Sequence, residues 1–395
     1  MLKKLLFGLL LLLSISLLMI VISLHLDHRI GCLCFGRNKL NISNTNRLNN
    51  SSIKYIWCVN HYGPNNQLKD FVKCCIIAMI SNYTLIIPPL YPHYGDKIRG
   101  IQWFDHFYDL KHLKSVLNII TLDQLIPEKV HKKKIIIDCY VKQTELIAGR
   151  SWYSLNAINS IQNYYKIHIE FDRHINLSRR FNMYELLNKS NSCSSIFLHV
   201  HYTTFGQFFS TPNFYIKSIF THLHRHPLIQ RMTIELIKLL PQLIVNKNHS
   251  QNQLNILAVI HMRLGDHTVM SVSMYIQQIM HLIKAGVRFT QLHIMCPYLN
   301  TTDIRYLAER LPVPFTITQD LLFHVRYVLD GYLFDVLEQE IAYQAPIFLA
   351  SPWTTYSATV LMQKVYQDKG TVYVLSSKGN IPPLLVTKKN VKYFK

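Results

Sequence analysis

The chain has 395 residues, of which 49% are apolar and 16% charged, and its formal net charge is +20. This length exceeds one ordinary domain, and the apolar content excludes a largely disordered chain. The positive charge favours anionic partners such as nucleotides or acidic glycans.

The first predicted element is a membrane anchor within residues 1–30. Lys3 and Lys4 precede an uncharged apolar run from Leu5 to Leu24, which is long enough to cross a bilayer as one helix. No small-residue cleavage site follows, so we favour an uncleaved anchor over a signal peptide. The paired lysines predict a cytosolic N-terminus. We therefore expect a single-pass type II membrane protein whose body lies in the lumen of the Golgi or endoplasmic reticulum, where nucleic acid is not a partner.

Residues 31–53 are rich in Asn and Ser and lack periodicity, which predicts a stem between the anchor and the body. Sequons for N-glycosylation agree with a lumenal body. They occur at Asn41, Asn49, Asn50, Asn82, Asn176, Asn188, Asn248 and Asn300.

The body contains six of the eight cysteines, and none of them form the paired clusters that are typical of zinc sites. In an oxidising compartment we expect one or two disulfides, although the sequence leaves the pairing open. Cys74 and Cys75 lie in an apolar helical run, where we expect buried thiols.

The body opens with a pattern typical of a βαβ unit. The strand "IKYIWCVN" is followed by the turn "HYGPNNQ", the helix "LKDFVKCCIIAMISN" and the strand "YTLIIPP". Two later runs, "KKIIIDCY" and "SIFLHV", are also predicted strands. The helix "HPLIQRMTIELIKLLPQLI" is expected to break near residue 240, at its internal proline.

After residue 250, strands and helices alternate. The predicted strands are "LNILAVIHMR", "FTQLHIMC", "VPFTIT", "PIFLA" and a final "TVYVL". The helices between them are "SVSMYIQQIMHLIKAG", "TDIRYLAERL", "YLFDVLEQEIAYQ" and "TTYSATVLMQKVYQDKG". This alternation predicts a parallel sheet with helices on both faces. The polar segment 245–254 is the predicted boundary, which divides the body into domains at 54–250 and 251–395. The predicted class is α/β, with two Rossmann-like domains facing across a cleft.

The stretch "AVIHMRLGDH" begins as a predicted buried strand and ends in charged residues. His261, Arg263 and Asp266 fall where ligands collect in open parallel sheets, and Gly265 lets the backbone bend closely. An arginine fork matches two phosphate oxygens and stays charged when it is desolvated. The alternative is a structural Arg–Asp pair that closes the sheet.

Two further stretches carry polar groups at strand-to-helix turns. In "LASPWTTYSATV", the hydroxyls of Thr354, Thr355 and Ser357 lie near a helix start, which suits an anion. The alternative is a plain N-cap, which needs one hydroxyl. In "HYGPNNQ", Asn65 and Asn66 present amides to sugar hydroxyls or phosphate, and the alternative is a turn without a ligand.

Several reaction classes lack their motifs. The sequence contains no GxxxxGK[ST], HExxH or GxSxG motif, and no D-x-D pair of the kind that holds Mn²⁺ in many sugar transferases. The 20 histidines show no accompanying set of ligand residues. We therefore expect no metal or other cofactor.

Together, "GPNNQ", "IHMRLGD" and "EQEIAYQAPIFLASPWTTYS" resemble, in their order and spacing, the GDP-fucose protein O-fucosyltransferase family and its broader α1,2/α1,6 group. The resemblance implies the GT-B architecture and a metal-independent transfer of fucose from GDP-fucose. It implies catalytic roles for Arg263, on the β-phosphate, and for Asn66. It implies that Glu338 reads guanine. The further substrate-binding residues that it implies are Gly63, Asn65, His261, Asp266, Ser351, Thr354, Thr355, Tyr356 and Ser357.

The resemblance leaves the base and the acceptor open. Some family members carry a glutamate in the first loop, which this chain lacks, and Asp70 lies further along the helix. A dissociative route, in which the departing phosphate takes the acceptor's proton, needs no side-chain base. Leu264 replaces the second arginine of the α1,2 enzymes, which favours a protein acceptor. The alternatives are an α1,2-type enzyme on glycans, a transferase of another nucleotide sugar, and an inactive glycan- or nucleotide-binding relative.

Overall fold

In the computed structural model, the described residues form two α/β units joined through packed helices. They are residues 53–58, 64–90, 103–125, 134–143, 151–178, 182–199, 213–244, 256–264, 270–325 and 331–391. The predicted membrane anchor and the boundary segment 245–254 lie outside this part of the chain. Of the described helices, none combines the length and the apolarity that crossing a bilayer requires.

The first unit contains a sheet in which the described strands run parallel, in the order β4-β2-β1-β7-β5-β6. Its central strand β1 is mostly buried because both of its edges are paired and helices cover its faces. The strands are β1 Tyr55–Cys58, β2 Thr84–Ile87, β4 Ile119–Thr121, β5 Lys134–Gln143, β6 His168–Leu177 and β7 Ser195–His199.

A small antiparallel ribbon of β3 (Tyr108–Asp109) and β8 (His224–Arg225) lies apart from this sheet. The helices of the first unit are α1 Pro64–Ser81, α2 Phe104–Phe107, α3 Leu110–Leu113, α4 Leu122–Leu125, α5 Ser151–Tyr165, α6 Met183–Ser190, α7 Asn213–His222 and α8 Pro227–Leu239. A 3-10 turn at Leu240–Leu243 follows α8 and contains Pro241. The predicted break near residue 240 is therefore confirmed.

The second unit contains a sheet with the order β11-β10-β9-β12-β13-β14 among the described strands. These strands are β9 Leu257–His261, β10 Gln291–Met295, β11 Phe315–Ile317, β12 Ile347–Ala350, β13 Thr371–Val374 and β14 Leu384–Val386. The helices are α9 Val272–Lys284, α10 Thr301–Arg310, α11 Thr318–Val325, α12 Gly331–Gln344 and α13 Thr355–Tyr366.

The prediction that β13 is the final strand was wrong. β14 follows it and pairs with it antiparallel, at the edge of the sheet. Two of its three residues are exposed, so it lacks the buried apolar pattern that identifies a strand in a sequence. The other described pairs in this sheet are parallel, as expected.

The two units share a continuous apolar core. Helices α1, α7 and α8 of the first unit pack against α12 and α13 of the second. Phe71 and Ile219 from one side belong to the same buried cluster as Leu337 and Leu361 from the other. A cavity of about 430 Å³ also lies at this junction.

Two disulfides lie in the first unit. Cys58 pairs with Cys74, with a Cα–Cα distance of 6.2 Å, and Cys139 pairs with Cys193, with a Cα–Cα distance of 6.0 Å. The expected number of disulfides is confirmed. The expectation of a buried free thiol holds for Cys75 but was wrong for Cys74, because that position on α1 lies against the end of β1.

Four of the predicted sequons fall on described residues. Their asparagines, at positions 82, 176, 188 and 300, are all exposed. Asn300 also forms a capping box with Asp303 at the start of α10.

Candidate functional site

The carboxyl ends of β9 and β12 form the centre of the candidate site. From β9 the chain continues to β10 and β11 on one side of the sheet, whereas β12 and β13 lie on the other. Such a crossover point leaves a crevice where ligands bind in open parallel sheets. His261 ends β9 and is followed by Met262 and Arg263, while Ser351 follows β12. The sheet therefore brings two of the three polar stretches together.

His261 is 7% exposed and is held on two sides. Its Nδ1 lies 2.8 Å from Ser357 Oγ, and its ring stacks on the Tyr356 ring with the centroids 4.5 Å apart. Burial, with the charge of Arg263 as a second cause, lowers the pKa of His261 to about 3. The imidazole is therefore neutral near pH 7 and too weakly basic to act as a general base.

A chain of hydrogen bonds joins the two strand ends. Ser351 Oγ donates to the carbonyl of His261 at 2.6 Å, and the hydroxyls of Ser351 and Tyr275 are 2.5 Å apart. Because Ser351 gives its proton to the carbonyl, Tyr275 is the donor in the second bond. The Tyr275 oxygen in turn accepts the backbone N–H of Arg263 at 2.8 Å. These contacts fix the backbone on which Arg263 is carried.

Tyr275 was not among the predicted site residues. It is fully buried on α9, where a tyrosine at helical spacing is typical of a core position. Only the pairing of β9 with β12 shows that its hydroxyl meets their ends. The sequence holds no local signal for this role.

Arg263 is half-buried, and its charge is close enough to His261 to lower the pKa of that ring. The loop that follows, with Gly265 and Asp266, lies outside the described residues. The predicted role of Asp266 therefore stays a prediction.

At the start of α13, the hydroxyls of Thr354 and Ser357 make different contacts. Thr354 is the N-cap, since its Oγ1 accepts the backbone N–H of Ser357 at 3.0 Å. Ser357 is 1% exposed and turns inward, where its Oγ accepts the backbone N–H of Ser351 at 3.1 Å. Ser357 therefore supports His261, and Ser351 is buried in the same network; the substrate contacts expected of both residues stay predictions. Thr355 and Tyr356 are half-buried on the first turn.

Glu338 lies on α12 at the ends of β10 and β11. It is 5% exposed, its Oε1 accepts the hydroxyl of Thr318 at 2.5 Å, and it lies 3.6 Å from His293 Nε2. Thr318 Oγ1 also accepts the backbone N–H of Cys296 at 2.8 Å. One carboxylate oxygen is thus held in place from within the second unit.

The third polar stretch begins α1, which packs against α13. Asn66 lies in its first turn, and the Asn66 Oδ1 atom is buried without a hydrogen-bond partner among the described residues. Gly63 lies outside the described residues, as does the side chain of Asn65. Asp70 is buried and bonded to Lys73 Nζ at 3.0 Å, so its carboxylate is already engaged.

Within the described residues, one group of possible metal ligands lies close together, formed by Asp138, Cys139 and Cys193. The two cysteines form a disulfide, so their sulfurs are not available as thiolate ligands. This group therefore provides no metal site.

The fold and the site define a class: two α/β units with parallel sheets, and a polar crevice at the crossover point of the second sheet. The predicted α/β class with parallel sheets is confirmed, and this fold matches the GT-B fold of solved fucosyltransferase structures.

Solved structures of fucosyltransferases have a similar fold. POFUT1 in complex with GDP aligns over 82% of this chain and 99% of that chain, with a TM-score of 0.54 and 10% identity. POFUT1 in complex with GDP-fucose aligns over 80% and 96%, with a TM-score of 0.53 and 10% identity. Fucosyltransferase NodZ from Bradyrhizobium aligns over 85% and 99%, with a TM-score of 0.49 and 10% identity. No protein-family profile and no curated protein sequence matches the chain. At the level of the fold, the two POFUT1 structures confirm the resemblance stated from the motifs.

Proposed function

We propose that this chain is a fucosyltransferase that moves fucose from GDP-fucose to a hydroxyl group of a protein or glycan. One observation carries the proposal: Arg263, the neutral His261 and the start of α13 converge at the crossover point of the second sheet. The identity of the donor is supported by the POFUT1 structures of similar fold, which are complexes with GDP and GDP-fucose.

The diphosphate is proposed to lie against Arg263 and the first turn of α13. The arginine fork supplies paired donors, and the first N–H groups of a helix have no partner within the helix. Ser357 Oγ already accepts the N–H of Ser351, so its proton is available for His261 Nδ1. That bond would place the imidazole proton on Nε2, where His261 acts as a neutral donor to a phosphate oxygen.

Guanine is proposed to bind at Glu338. The carboxylate Oε1 is held by Thr318, and Oε2 makes no hydrogen bond to the described residues. A carboxylate at this place accepts from the N1 and N2 donors of guanine, whereas uracil offers a single N–H. The site thereby favours GDP-sugars over UDP-sugars.

The reaction is proposed to invert the configuration at the sugar carbon. In the dissociative route, the bond between that carbon and the β-phosphate oxygen breaks before the acceptor oxygen bonds to the opposite face. The acceptor's proton passes to the departing phosphate, which suits a site where His261 is too weak a base and Asp70 is already bonded to Lys73. Asn66 Oδ1 would orient the acceptor hydroxyl. Arg263 and the helix start stabilise the leaving charge without a metal.

The cellular setting is proposed from the sequence. The N-terminal apolar run, the flanking lysines and the sequons suit a type II protein whose catalytic body faces the Golgi or endoplasmic reticulum lumen. The basic body suits anionic nucleotide sugars.

The direct experiment measures GDP release by the purified chain from GDP-fucose, GDP-mannose and UDP-sugars, with and without EDTA. We expect release from GDP-fucose that EDTA leaves unchanged. Activity with a UDP-sugar alone would point to another donor and reject the proposal. Activity that requires metal would reject the proposed chemistry.

A further inference from the structure

A buried arginine of the first unit reaches into the second. Arg225, the last residue of β8, is 3% exposed. Its Nη2 donates to Gln339 Oε1 at 2.6 Å, and its Nε lies 3.7 Å from Glu340 Oε2. Its guanidinium lies over the Tyr108 ring, 4.4 Å from the ring centroid. One side chain thus holds two successive residues of α12.

The ion pair of Arg225 and Glu340 contributes little to the stability of the fold. Glu340 is 1% exposed, and burial raises its pKa to about 7 against the opposing effect of Arg225. Among the described residues, Arg225 Nε and Nη1 and Glu340 Oε2 have no hydrogen-bond partner. A buried ion pair with unsatisfied atoms adds little net stability, and geometric specificity is the better-attested use of such pairs.

The contacts of Arg225 on α12 lie next to Glu338, so they can determine the direction of the Glu338 side chain. Gln339 and Glu340 directly follow Glu338. Because an α-helix turns about 100° per residue, Glu338 and Glu340 point in nearly opposite directions. Glu338 faces Thr318 and the strand ends, while Glu340 faces Arg225. The contacts of Arg225 with Gln339 and Glu340, which we call the clamp, hold this second face of α12. They therefore fix the rotation of α12 about its axis and the direction in which the Glu338 carboxylate points.

We propose that Arg225 is a positioning residue for nucleobase recognition, which sets the Glu338 carboxylate against guanine by clamping Gln339 and Glu340. The inference rests on the proposed function, because that function assigns guanine to Glu338. It makes discrimination of the base depend on the contact between the two units. A helix that lost the clamp would still bind the diphosphate at Arg263 and would lose selectivity for the base.

The test compares GDP with IDP, whose base lacks the 2-amino group that Glu338 would accept from. Calorimetry on the full chain gives both dissociation constants. For the wild type we expect a preference for GDP of roughly tenfold or more, the effect of one hydrogen bond to a charged group. Arg225→Met removes the clamp, and Arg225→Lys keeps the charge without the fork. In both variants we expect the preference to fall to about twofold.

A matched control separates positioning from loss of stability. Gln363 on α13 also joins the two units, because its Nε2 donates to the Leu223 carbonyl at 3.1 Å. Gln363→Met should lower the melting temperature and leave the ratio of GDP to IDP affinity as in the wild type. A double variant, Arg225→Met with Glu340→Leu, removes both buried charges, so that a version without the clamp remains folded for measurement.

The outcomes distinguish the two proposals. A lowered ratio in the Arg225 variants, with an unchanged ratio in Gln363→Met, supports the positioning role. A wild-type ratio in the folded Arg225 variants overturns this inference alone. A wild type that binds neither nucleotide overturns the proposed function, and the inference with it.

Discussion

Ser357 on α13 makes the 2.8 Å hydrogen bond to His261, so Ser357→Ala is expected to impair both stability and catalysis. The hydroxyl is buried, accepts the N–H of Ser351 and lies 2.8 Å from His261 Nδ1. Its loss leaves a buried N–H without that partner, which costs about 1–3 kcal/mol, and a neutral bond to the ring adds about 0.5–1.5 kcal/mol. We expect the free energy of unfolding to fall by about 2–3 kcal/mol.

The catalytic effect follows from the freed imidazole. Without Ser357 the ring of His261 keeps its stack on Tyr356 but loses the bond that sets its tautomer. We expect kcat/KM for GDP-fucose to fall about tenfold, the effect of roughly 1.4 kcal/mol in the transition state.

Urea denaturation gives the stability of this variant, and GDP release gives its activity. Thr359→Val is the matched control, because Thr359 is also buried on α13 and its hydroxyl donates only to the carbonyl of Thr355 at 3.0 Å. The control should lose less than about 1 kcal/mol and keep its kcat/KM. If Ser357→Ala keeps the wild-type kcat/KM while folded, the role assigned to His261 is wrong.

Asn66→Ala should lower the rate of transfer without abolishing it, because the amide orients the acceptor; an unchanged rate would remove Asn66 from the mechanism. Glu340, with a folded pKa of about 7 against an ordinary 4.5, binds its proton more tightly when folded. Stability should therefore fall as pH rises from about 4.5 to 7, by up to about 3 kcal/mol, and Glu340→Gln should flatten that part of the curve in urea titrations. Replacing Cys139 and Cys193 by Ala should cost about 3–4 kcal/mol, and mass spectrometry of the unreduced wild type should recover the linked peptides.

The sequence predicts the frame of the fold well where its patterns are local. The buried strands β9, β10 and β12 read as apolar runs between turns, and the proline at residue 241 marks the end of α8. These signals depend on neighbouring residues alone. The sequence does not predict β14, because two of its three residues are exposed. It does not predict the Cys58–Cys74 pairing, because spacing does not determine connectivity.

The sequence predicts which residue types form the candidate site, but not which contacts each of them makes. Arg263 follows the end of a strand and Thr354 precedes the start of a helix, and both positions can be recognised from the sequence pattern. That Ser357 turns inward to His261, and that Tyr275 from another helix joins the network, depends on the register of β9 against β12. The contact of Arg225 with α12 depends in turn on how the two units pack. Such contacts join residues far apart in the chain, so no local pattern reveals them.

Titration of GDP and of guanosine into the wild type and into Arg263→Ala tests the central claim most directly. If Arg263 grips the diphosphate, the wild type should prefer GDP over guanosine by roughly 100-fold, and the variant should lose most of that preference while keeping its affinity for guanosine. An Arg263→Ala protein that binds GDP as tightly as the wild type would contradict the account.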